Sequence, residues 1–133
     1  MYTIPTSFEM QVLIKIKHST MAYDEELAKR VREYLAEFPE LEIVEKKMFH
    51  GLTFMVNKKM CVGVSGDELM VRFDPNLHNE FCEQNGFRAM LTKGREYKGY
   101  GYINPDYIKT NNQLNKWLDI ALQFNKEIKA KKK

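Results

Sequence analysis

The stretch from Gly94 to Tyr102 holds the densest set of residues able to do recognition chemistry. It combines Gly94, Gly99 and Gly101 with Arg95 and Lys98 and with Tyr97, Tyr100 and Tyr102. Cations neutralise a phosphate backbone and a tyrosine face accepts any base, so this run could hold a phosphate and stack a base. The same residues also suit a hairpin arm whose tyrosines pack across a sheet and whose charges are solvated. Neither a phosphate loop nor a dinucleotide fingerprint is present, because the glycine spacing and the strand-to-helix setting differ. Lys46, Lys47, Lys58 and Lys59 would extend the surface into a shallow basic patch completed by Arg72. Lysines on hairpins also keep edges soluble and unpaired, and Arg72 has Glu68 and Asp74 as alternative partners.

His78 and Cys82 are four residues apart and share one face if their segment is helical, with Glu80 and Glu83 nearby. A zinc site needs three or four converging ligands, and the sequence offers no second cysteine–histidine cluster beyond a cross-strand meeting of His50 with Cys61. No metal and no cofactor is expected, and His78 reads as a surface helix residue. Ser7, Ser19 and Ser65 lack the sharp strand-to-helix turn that exposes a nucleophile. No catalytic residues are therefore assigned, and the chain is expected not to be an enzyme. Only residues assembled from distant positions would change that.

Composition narrows the class. The 133 residues are 44% hydrophobic and 29% charged, the balance of one folded domain. A chain of this size buries roughly 65% of its unfolded surface. No apolar run is long enough to span a bilayer, and the amino terminus lacks the apolar segment of a secretory signal. Cys61 and Cys82 are too few for a disulfide framework and read as small buried or half-buried thiols in a reducing compartment, so the cytoplasm is expected. Of the net charge of +3, Lys129, Lys131, Lys132 and Lys133 supply four positive charges, leaving the rest at −1. Such a body lacks the electrostatic footprint of a dedicated duplex binder.

The elements that must position these residues follow from periodicity. Residues 1–19 alternate through Phe8, Met10, Val12, Ile14 and Ile16, as an edge strand or a loosely docked extension would. Leu27, Val31, Tyr34, Leu35 and Phe38 recur at helical spacing, predicting a helix over 24–38 that Pro39 stops. From 41 to 73 the period falls to two, through Ile43, Leu52, Phe54, Val56, Val62, Val64, Leu69, Val71 and Phe73. The short turns Asn57-Lys58 and Ser65-Gly66-Asp67 join only antiparallel neighbours. Met55, Cys61, Met70 and Arg72 would point to the second face. Asp74-Pro75 starts a short helix ended by Asn85-Gly86. Residues 87–99 form a hairpin arm or loop leading into a strand at about 99–103, and Asn104-Pro105 opens a helical turn. A last helix over 112–129 buries Leu114, Trp117, Leu118, Ala121, Phe124 and Ile128. The expected class is α+β: an antiparallel meander packed in two layers by an N-terminal and a C-terminal helix.

Several short segments, in order, resemble the TfoX-like N-terminal domain family. They are Met21 to Leu27, Met48-Phe49 with Gly51, Asn57 to Met60, Leu69 to Arg72, Gly94-Arg95 with Lys98, Gly99 and Tyr100, and Leu114, Trp117, Ala121 and Leu122. The resemblance runs from Met21 to about Asn125. His50 and Lys58 depart from it, standing where the family carries glycines. It implies residues 1–20 as an extension or edge strand, 21–129 as the domain and 130–133 as a lysine tail. It also implies a domain without known catalytic residues, linked to the regulation of competence and DNA uptake. The leading expectation is a non-catalytic regulatory or adaptor module acting through protein or nucleic-acid contacts. The alternatives are a small enzyme or ligand carrier with a pocket between sheet and helices, and a structural homodimer.

Overall fold

The structure, a computed structural model, describes residues 23–48 and 51–128. The alternating segment at 1–19 and the lysine tail lie outside the described residues.

Helix α1 (Glu25–Leu35) begins where the Asp24 carboxylate accepts from the amides of Glu26 and Leu27, and it buries Leu27, Ala28, Val31 and Leu35. It stops three residues short of the expected end, and Phe38 packs its ring edge-on to Tyr34. Four strands follow: β1 (Ile43–Met48), β2 (Gly51–Val56), β3 (Lys59–Ser65) and β4 (Glu68–Arg72). All pair antiparallel with their sequence neighbours, as the short turns require. Asp74 caps a turn of 3-10 helix with Pro75 in its first position, which leads into the short helix α2 (His78–Cys82). The chain then runs to the far edge as β5 (Phe87–Thr92) and returns as β6 (Arg95–Ile103) between β5 and β4. The expected arm is thus a two-stranded hairpin, and its second strand begins earlier than 99. Helix α3 (Asn111–Glu127) starts at a reciprocal capping box between Thr110 and Gln113.

The result is a six-stranded antiparallel sheet in the order β1-β2-β3-β4-β6-β5, with the helices packed on one face. Leu52, Phe54, Val56, Val62, Val64, Leu69, Val71 and Phe73 meet the stripes of α1 and α3 there. Trp117 is 4% exposed and lies within ring contact of Phe81 and Phe87, so the terminal helix is a core element. The two layers bury a continuous apolar interior, the dominant favourable contribution in a domain of this size.

One expectation about the sheet changes. Between Phe54 and Met55 the β2–β3 register shifts, and the extra residue turns Cys61 into the core beside Val62 instead of onto the second face. The second face is also partly dry. Thr53 and Met70 there are 1% and 2% exposed. Gly63 allows this, because a Cβ there would stand 3.1 Å from the Met70 methyl.

Candidate functional site

The second face carries one cross-strand row of Lys46, Thr53, Gly63, Met70, Tyr102 and Arg88, set by the register of all six strands. Arg88 stacks over the Tyr102 ring at 4.5 Å and pairs with Glu68, which removes Glu68 as a partner for Arg72. One step along the strands, Arg72 stands opposite Tyr100. Its guanidinium lies 5.5 Å from the centroid of the Tyr100 ring and 5.8 Å from that of Phe124, and Nη1 donates to the Met60 carbonyl at 3.4 Å. A guanidinium beside two rings gains from their negative faces while keeping its charge.

Tyr97 extends the stack, its ring centroid 4.5 Å from that of Tyr100 and tilted by 33°. Residues three apart on a regular strand face opposite sides. Here Gly99 adopts φ +92° and the β5–β6 register shifts between Ala89 and Leu91, which cancels the alternation. A ladder of Tyr97, Tyr100, Arg72 and Phe124 results, with Tyr97 50% exposed at its outer end. Burial pushes the Tyr100 phenol above its ordinary value against the opposing pull of Arg72.

Of the residues singled out in the sequence, Arg72, Tyr97 and Tyr100 come together in this ladder. Lys98 lies exposed on the same strand, Arg95 stands at the hairpin turn, and Lys58 occupies the β2–β3 turn at the same end of the sheet. Lys46 and Lys47 are exposed on the edge strand β1, displaced toward its hairpin with β2. Lys59 is occupied: its ammonium donates to the carbonyls of Asn125 at 2.6 Å and Ile128 at 2.7 Å, closing the end of α3. Phe124 is the ladder residue that sequence reasoning placed only in the core. Next to it a groove of about 400 Å³ is lined by Leu77, Ile120 and Phe124 and by the carboxylates of Asp74, Asp119 and Glu127.

A second cluster forms at α2. His78 is 1% exposed and buried against Phe73 and Phe87, not on the surface. Its Nδ1 accepts from the Gly99 amide at 3.4 Å, so Nε2 carries the hydrogen and donates to Glu96 at 3.0 Å. Cys82 is exposed, contrary to the reading of a buried or half-buried thiol. Burial, then Glu96 and Glu83, hold its thiol above the usual range.

An open antiparallel sheet with an N-terminal and a C-terminal helix packed against it defines a small α+β domain. The TfoX N-terminal domain family matches residues 33–125, and the chain belongs to that family. It is accordingly a non-catalytic domain of the TfoX type. The segment Met21 to Leu27 lies ahead of the matched residues. No curated protein and no solved structure matches the chain. No helix among the described residues is long and apolar enough to cross a membrane.

Proposed function

We propose that this domain is a regulatory adaptor that binds a protein partner through the Tyr97, Tyr100, Arg72 and Phe124 ladder and the groove beside it. The carrying observation is that the ladder ends on an apolar groove bearing Asp74, Asp119 and Glu127. Tyrosine and arginine dominate protein contact sites, where large rings supply area at low entropic cost. Carboxylates next to the rings repel a phosphate backbone and favour a partner segment carrying lysine or arginine beside apolar residues. The net charge of −1 left after subtracting the four terminal lysines from +3 points the same way. Two free cysteines fit the reducing cytoplasm as its location.

Selection of displayed random peptides on the full chain tests this. Enriched peptides should combine cationic with apolar residues and should bind about tenfold more weakly to Tyr97→Ser and to a Gln123→Arg variant, Gln123 also lining the groove, a change of about 1.4 kcal/mol. Single-stranded oligonucleotide is the competing ligand. Oligonucleotide binding that weakens steeply with salt and falls on Arg95→Ala and Lys98→Ala substitution, with the selected peptides indifferent to the ladder, would replace the protein partner by nucleic acid.

A further inference from the structure

We propose that His78, Cys82 and Glu96 form a binding site for a divalent transition ion of the zinc type. Their ligand atoms, one imidazole nitrogen, one sulfur and one carboxylate oxygen, all lie within 4.8 Å of one another. Helix α2 supplies His78 and Cys82 from one face, and β6 brings Glu96 across to them. The inference stands apart from the protein-binding reading, since it uses none of the ladder residues.

The geometry is close to what such an ion needs. Bond lengths of about 2.0 Å to nitrogen and oxygen and about 2.3 Å to sulfur place tetrahedral ligand atoms about 3.3–3.7 Å apart, so the widest gap must close by about 1 Å. Cys82 and Glu96 are exposed and free to make that adjustment, while the buried His78 ring is held by Phe73 and Phe87. The donor set selects the ion. Magnesium and calcium prefer all-oxygen shells, whereas mixed nitrogen, sulfur and oxygen donors suit zinc or cobalt. Solvent on the Cys82 and Glu96 side leaves the fourth position to water.

Loading has a definite consequence for the histidine. The ion takes the place of the Nε2 hydrogen, the ring hydrogen moves to Nδ1, the Cys82 thiol releases its proton to solvent as the sulfur–ion bond forms, and the 3.4 Å bond from the Gly99 amide is given up. That loss makes the site weaker than an all-thiolate structural centre. An ion held here would pin the start of β6 to α2 immediately beside Tyr97.

Cobalt(II) is the probe, added to the metal-free full chain. A near-ultraviolet sulfur-to-cobalt charge-transfer band, displaced by zinc, is the expected result. The band should vanish in Cys82→Ser, and affinity should fall about tenfold or more in Glu96→Gln. Because replacing His78 risks the core, its part is read in the native chain, where nitrogen-15 spectra should show the hydrogen moving from Nε2 to Nδ1 on zinc addition. Absence of the band, unchanged binding in both variants, or an unmoved His78 tautomer would each overturn the site.

Discussion

The rings of Tyr97 and Tyr100 stack with centroids 4.5 Å apart although the residues are three positions apart on one strand. Gly99 between them makes this possible. Its backbone is left-handed at φ +92°, and a Cβ there would stand 3.1 Å from both the Phe73 carbonyl oxygen and Pro75 Cγ. One residue without a side chain thus decides which face of the sheet the outer ring reaches.

Replacing Gly99 by alanine should cost about 1–3 kcal/mol, from the left-handed backbone and the crowding together. Urea unfolding measures the loss. A midpoint unchanged from the native chain would mean that β6 does not need the glycine.

The opposite sign is expected at Lys58. The β2–β3 turn holds Asn57 at φ 51° and Lys58 at φ 70°, the two left-handed residues of a tight hairpin turn. Lys58→Gly should remove the steric cost of that conformation and stabilise the fold by about 0.5–1 kcal/mol after the entropy of the unfolded glycine is subtracted. Thermal unfolding would register this as a higher midpoint.

Lys59 offers a separable test of helix closure. Lys59→Met keeps much of the side-chain stem but removes the two charged hydrogen bonds to the Asn125 and Ile128 carbonyls. About 1–3 kcal/mol should be lost. Amide exchange should quicken chiefly over the last turn of α3, and uniform quickening over the whole sheet would contradict a local role.

The two cysteines should behave differently. Cys82 is exposed and should alkylate in the native protein, whereas Cys61 should react only on unfolding. Burial pushes the Cys61 thiol up to about 12 from an ordinary 9.0, against the opposing pull of Arg72 and Lys59. The folded value lies above the unfolded one, so this contribution to stability is complete below about pH 9 and is lost as pH climbs toward 12. Tyr34, raised to about 12 by burial and then by its bond to Asp119, acts in the same direction. Stability measured from pH 8 to 11 should therefore decline, less steeply in Cys61→Ala. An equal slope in that variant would remove Cys61 as a cause.

Local rules explain why so much was legible in the chain itself. Helix α3 announces itself through the spacing of Leu114, Trp117, Leu118 and Ala121, and the meander through alternation and turns too short for a crossover. Asp74-Pro75 and Asn104-Pro105 both cap helical turns, as an acceptor followed by proline should. The misread positions share a different origin. Cys61 turns inward because of a register shift, and His78 is buried because Phe73, Phe87 of β5 and Gly99 of β6 close around its ring.

Sequence alone determined the helices and the strands of 41–73, because side-chain period and capping act over a few residues, but left 87–98 open between arm and loop. Tertiary structure alone decided that β6 lies between β4 and β5, that Phe124 joins Arg72 and Tyr100, and that Glu96 meets His78 and Cys82. Those meetings depend on strand order and on one left-handed glycine, which set contacts between residues 14 to 52 positions apart without leaving a periodic trace in the chain.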